Sequence, residues 1–110
     1  MADKKASKLS AKIRAVEWDE QKRLRILKLR AIDFIDAAKI LFDRVYEYQS
    51  DRTGETRFVA IGSLDDGALI AVVYTIRGTK FRLITARKAR SYEQRAYLHA
   101  LSASPDEGAD

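Results

Sequence analysis

Apolar and polar positions change period along the chain, and each change marks an element. Ile13–Trp18 has the make-up of a short strand. Asp19 then suits the N-cap of a helix running to about Leu29, with Leu24, Leu27 and Ala31 as its apolar stripe. Asp33 caps a second helix, in which Phe34, Ala37, Ala38 and Leu41 recur at helical spacing and define one buried face. Strand patterns follow: Val45–Gln49 alternates, Arg57–Leu64 is rich in β-formers, and Leu69–Ile76 is apolar enough for a central position in a sheet. Asp66-Gly67 and Gly78-Thr79 read as hairpin turns, so the three consecutive strands they join, Arg57–Leu64, Leu69–Ile76 and Lys80–Arg87, should form an antiparallel meander. Ser91 with Gln94 three residues later is a capping-box signature for a last helix reaching about Leu101. The expected class is α+β, in the order β-α-α-β-β-β-β-α, with an antiparallel sheet packed against helices.

Length and composition add limits to this picture. A chain of 110 residues with 46% apolar and 9% aromatic side chains supports one core. Residues 1–12 read as a basic tail, 13–101 as a single domain, and 102–110, which hold the only proline, as an acidic, disordered tail. The longest apolar run, Ala68–Ile76, falls far short of the roughly 18 residues of a membrane span. No apolar segment follows the charged N-terminus, as a secretory signal would require. The chain has no cysteine, which excludes disulfides and thiolate chemistry and agrees with a reducing cytoplasm. With a single histidine, His99, a His-rich metal site or a Ser–His–Asp triad is not expected. Neither a metal nor a cofactor is expected, and catalysis would fall to Arg, Lys, Tyr, Glu or Asp.

Charge changes the picture more. The net charge of +5 is unevenly placed. Residues 22–30 hold Lys22, Arg23, Arg25, Lys28 and Arg30 without an acid, and Arg77–Arg95 carries seven cations against Glu93 alone. Clusters of one sign are the footprint of a surface that meets nucleic acid or an acidic partner. On the Gly78-Thr79 hairpin, Arg77 should pair with Lys80 and Thr75 with Arg82, which gathers cations that repel unless an anion sits among them. Arg87 and Lys88 lie just before a helix start, whose free N–H groups favour phosphate. Tyr74, Tyr92 and Tyr97 are candidates for stacking on unpaired bases. The alternative is that the cations merely keep a sheet face soluble. Trp18, Tyr46 and Tyr48 read as packing residues, and His99, near the end of the last helix, as a surface or packing residue.

These residues also resemble a family. Trp18-Asp19-x-x-Lys22, Ile32-x-Phe34-x-x-Ala37, Gly54-Glu55-x-Arg57, Val72-Val73-Tyr74-Thr75 and Arg82-x-Ile84-x-Ala86-Arg87-Lys88-Ala89 follow in order, closed by Glu93 and Tyr97. The ordered set, over residues 16–98, resembles the BrnT toxins of bacterial BrnT/BrnA pairs. The resemblance implies a RelE-like ribonuclease fold, an RNA substrate, growth arrest and a cytoplasmic setting. It also implies a BrnA-like antitoxin with a ribbon-helix-helix part, operator DNA contacted only through that antitoxin, and a toxin dimer within a heterotetramer. The matching polar residues are Lys22, Glu55, Arg57, Arg82, Arg87, Glu93 and Tyr97.

The chain departs from the family where Asn, two residues and Lys-His-Gly usually stand; here those positions are Ile26, Leu29, Arg30 and Ala31. Losing the histidine removes a candidate acid/base, and losing the glycine removes an easy positive-φ helix stop. Either cleavage is slowed or lost, or the histidine is structural and Arg30 replaces its hydrogen bond. For cleavage, Arg57, Arg82 and Arg87 are the expected clamp on the scissile phosphate. Glu55 or Glu93 is the candidate base and Tyr97 the candidate proton donor, unless the two glutamates are ion-pair partners of the arginines. Lys22, Arg30, Arg77, Lys80 and Lys88 complete the expected RNA-binding set. A non-catalytic, antitoxin-binding co-repressor is the competing function.

Overall fold

The computed structural model describes residues 16–102. Its elements are β1 (Val16–Glu17), α1 (Glu20–Arg30), α2 (Phe34–Ile40), β2 (Tyr46–Gln49), β3 (Phe58–Ser63), β4 (Leu69–Arg77), β5 (Lys80–Lys88) and α3 (Ser91–Ser102). This is the expected α+β order. The tails expected over 1–12 and 102–110, and the first residues of the expected Ile13–Trp18 strand, lie outside the described residues, except for Ser102, which ends α3.

The five strands lie in the order β1-β5-β4-β3-β2, all antiparallel except the parallel β1–β5 pair. The Gly78-Thr79 turn sets the expected register, Arg77 opposite Lys80 and Thr75 opposite Arg82. A bulge at Val73/Tyr74 then shifts the remaining β4–β5 pairs. Both sheet faces are covered. Ile70, Val72, Leu83 and Ala86 pack with Ile26 of α1 and with Phe34, Ala37, Ala38 and Ile40 of α2. Val59, Ile61 and Ala71 pack with Tyr97 of α3. At Gly62 the α2 side approaches so closely that an added Cβ would collide with Ile40 Cγ2.

The helices show how local sequence fixes orientation. The Asp19 carboxylate accepts from the Gln21 and Lys22 N–H groups at 2.9 and 3.2 Å, as expected of an N-cap. The expected stripe of Leu24, Leu27 and Ala31 does not face the core: Leu24 is 52% and Leu27 36% exposed, and Ala31 is exposed too. Ile26 is the buried residue of α1. The cause is polar. Arg23 binds Glu20 at 2.7 Å and the α2 cap Asp33 at 3.2 Å, which fixes the rotation of the helix. That rotation turns Lys22, Ile26 and Arg30, one turn apart each, toward β5. α1 ends at Ala31 with φ 57°, a left-handed stop without the usual glycine. At α3 the capping box is shifted by one residue, because Glu93 rather than Gln94 reaches back to the Arg90 N–H at 2.8 Å.

Candidate nucleic-acid interface

One cavity of about 200 Å³ gathers cations from three elements. Lys22 comes from the first turn of α1, Arg57 from the residue before β3, and Arg77 and Arg82 from the two arms of the β4–β5 hairpin. Asp19, Glu55, Leu83 and Ile84 complete its lining. Glu55 and Arg57 are placed by a tight turn. Arg52 and Glu55 exchange backbone hydrogen bonds of 2.9 and 2.8 Å around Thr53 and Gly54, whose φ values of 47° and 78° are both positive.

Four cations converge here because the chain supplies internal anions. Glu55 reaches Arg57 Nε at 3.0 Å and Arg77 Nη2 at 3.5 Å. On the other side Glu17 reaches Arg82 Nη1 at 3.2 Å and Lys80 Nζ at 3.8 Å. Arg57's hydrogen bond is the main reason the Glu55 carboxyl lies below its ordinary pKa, against a smaller opposing effect of burial. Lys22 has no such acidic partner within ion-pair distance among the described residues. Burial first, and then the nearby charges of Arg25, Arg57 and Arg30, push its ammonium pKa down, with Asp19 only partly offsetting them. Asp19 in turn is engaged with the helix N–H groups. Adjoining the cavity at Glu55 is an open groove of about 510 Å³ bordered by Phe58, Thr75 and Ile76. Another cavity, about 350 Å³, is lined by Asp36, Asp43, Asp65 and Asp66 with Lys39, and has the wrong sign for a polyanion.

The structure therefore brings together Lys22, Glu55, Arg57, Arg77 and Arg82, with Lys80 at the margin. It does not bring Arg87, Glu93 or Tyr97 to them. Arg87 forms a two-pronged pair with Glu93, at 2.7 and 2.9 Å, and Glu93 is fully buried. Tyr48 donates to the same carboxylate at 2.5 Å. Burial alone would raise the Glu93 pKa, but the bonds from Arg87, Tyr48 and the Arg90 N–H outweigh it and hold it down at about 2. Both glutamates are thus ion-pair partners of arginines. The helix start that seemed open to phosphate is already occupied by this carboxylate. Tyr97 is buried in the core beneath α3.

Arg30 donates to the Ala86 carbonyl at 2.9 Å and lies 3.3 Å from Thr85 Oγ1, so it ties α1 to β5. Lys88 is exposed at the end of β5. Of the three tyrosines considered for stacking, Tyr74 and Tyr97 are buried and Tyr92 is exposed. Tyr74 stacks on Phe58 and donates to Glu47 at 2.6 Å. Trp18 packs edge-on against Phe34, as expected of a core anchor. Sequence reasoning missed Glu17, whose only signal was its place one residue before the tryptophan, and missed the Thr53-Gly54 turn, which the glycine could have revealed.

Residues 18–93 match the family described as "Ribonuclease toxin, BrnT, of type II toxin-antitoxin system". The chain belongs to the BrnT toxin family. The crystal structure of the Brucella abortus ribonuclease toxin BrnT is similar at 25% identity with a TM-score of 0.52, covering 69% of this chain and 96% of that one. The comparison with curated proteins gave no match. The matched BrnT segment begins at Trp18 and ends at Glu93, narrower than the 16–98 expected. It contains all four cavity cations and leaves Glu17 and Tyr97 outside. Among the described residues no helix is long and apolar enough to cross a membrane.

Proposed function

We propose that the chain is an RNA-cleaving toxin restrained by an antitoxin, and that the cavity of Lys22, Arg57, Arg77 and Arg82 receives an RNA phosphate. The observation that carries this reading is the convergence of four cations from three elements on about 200 Å³, with Lys22 in no ion pair among the described residues. Planar guanidinium groups meet phosphate oxygens with two N–H donors each, so Arg57 and Arg82 suit the charge that builds up as a 2′-OH attacks the adjacent phosphate. Glu55 orients Arg57 and is the cavity carboxylate that takes the 2′-OH proton as its oxygen attacks phosphorus, a weak base because its pKa is lowered. Lys22 is the titratable cation whose pKa moves toward neutrality, which suits it to deliver a proton to the departing 5′-oxygen. Phe58 and Ile76 beside the groove offer an apolar surface for a base or ribose.

The family membership supports an antitoxin partner. On that basis the partner is BrnA-like with a ribbon-helix-helix part that contacts operator DNA, in a heterotetramer around a toxin dimer in the cytoplasm. The decisive test is an RNA-decay assay. Arg57→Ala and Arg82→Ala should each lower the cleavage rate by about 10²-fold or more, and Arg87→Ala, measured per folded molecule, should not. Cleavage unchanged by the first two overturns the site.

A second reading has one specific observation behind it. Arg30 stands where typical members carry a histidine, and it is tied to Ala86 and Thr85 rather than presented to the cavity. A non-catalytic co-repressor would be harmless when expressed alone yet still bind its antitoxin, whereas a toxin arrests growth.

A further inference from the structure

We infer that Glu17 is a positioning residue for Arg82, holding its guanidinium toward the cavity that takes phosphate. The inference rests on the reading of that cavity as the RNA site. β1 is only two residues long, and its parallel register places Glu17 opposite Arg82. Partners across a ladder leave the backbone on the same sheet face, so carboxylate and guanidinium start side by side. One Glu17 oxygen then lies 3.2 Å from Arg82 Nη1 and the other 3.8 Å from Lys80 Nζ. With both oxygens engaged from one strand, the carboxylate has little freedom to turn away.

Arg82 lines the cavity and Glu17 does not. The carboxylate therefore grips Arg82 from outside, through a single nitrogen. A guanidinium has five N–H donors, and among the described residues this bond is the only side-chain hydrogen bond of Arg82. The remaining donors stay available to a phosphate while the flexible stem is already ordered, as a preorganised clamp requires. Glu17 lies just before the segment matched to the family, so the match assigns it no role.

An opposite effect has to be weighed. The same carboxylate partly neutralises Arg82 and Lys80, so a competitor for phosphate would have this geometry too. The two roles predict opposite signs. The probe is a short oligoribonucleotide with 2′-O-methyl groups, which cannot be cleaved, read by fluorescence anisotropy alongside cleavage of the unmodified RNA. Glu17→Ala should weaken binding about five-fold and lower kcat about ten-fold, because a clamp that is no longer preorganised must order Arg82 at each turnover. Glu17→Gln keeps an acceptor for Nη1 and should recover to within about three-fold of the parent. In an Arg82→Ala background Glu17→Ala should have no further effect, which a merely structural role would not produce.

Tighter binding by both Glu17 variants would make the carboxylate a competitor and overturn the inference. A loss that persists unchanged in the Arg82→Ala background would overturn it as well. Wild-type protein that binds no RNA would instead overturn the reading of the cavity, and the role of Glu17 with it. Circular dichroism of each variant separates these outcomes from misfolding.

Discussion

Two arginine–carboxylate clusters share strand β5, and they use the same chemistry for opposite ends. Around Arg87 the carboxylate is fully buried, and its oxygens are bonded by a two-pronged guanidinium, a phenol and a backbone N–H. Around Arg57 and Arg82 the carboxylates are about one-third exposed, and each bridges two cations through single contacts. A buried ion pair is tolerable only when its remaining hydrogen-bonding capacity is filled, and the first cluster meets that condition. Its carboxylate is fully engaged, and it holds the guanidinium with two prongs, away from the cavity. The second has spare donors and, among the described residues, one cation, Lys22, without an ion-pair partner, and that surplus is what the proposed phosphate site draws on. The two also stand apart: five residues along a strand is about 16 Å, too far for Arg82 and Arg87 to hold one phosphate.

Removing a partner from each cluster tests the contrast. The largest effect is expected for Glu93→Ala, which strands Arg87 half-buried beside an emptied site. A loss of about 3–5 kcal/mol in unfolding free energy is expected by denaturant titration, and a loss below about 1 kcal/mol would show that the pair is dispensable. The acid limb of stability should report the same group. Glu93 is held at about 2 in the folded protein against an ordinary 4.5. Its folded pKa is depressed, so its contribution is complete above about pH 4.5 and is lost as pH falls toward 2. Thermal melts across that window should steepen in the wild type and flatten in Glu93→Ala. The smallest effect on stability belongs to the cavity. Arg82→Ala should change unfolding by about 1 kcal/mol or less, while the same variant loses RNA cleavage.

Much of the frame was readable beforehand. The order of elements along the chain, the Gly78-Thr79 register and the Asp19 and Asp33 caps depend on neighbours a few residues away, and these leave local marks, whereas the parallel pairing of β1 with β5 spans 65 residues and leaves none. The face of α1 did not, because its apolar count points outward. Its rotation is set by Arg23 bridging to Asp33, ten residues on, and two of the three residues it turns inward, Lys22 and Arg30, are charged. The candidate site was half legible for a related reason. Sign and motif order collected Arg57, Arg82 and Arg87 together, but which cations are already neutralised depends on carboxylates delivered by other elements. Glu17 arrives from an edge strand and Glu93 from a helix beneath the sheet. Neither assignment follows from spacing along the chain.

Helix α1 buries a single apolar side chain, Ile26, and stops at Ala31 in a conformation that L-residues adopt at a cost of about 1 kcal/mol. Little hydrophobic area therefore keeps it closed against the sheet, and local opening should be cheaper there than in β4. Its amides should exchange with solvent deuterium well before those of Ile70–Val73, and equal protection would contradict this. Lys22 rides on that helix. The cavity proposed to receive phosphate is thus walled on one side by the sheet and on the other by a helix expected to open more readily than β4, so an anion bridging Lys22 to Arg57 or Arg82 should slow that exchange.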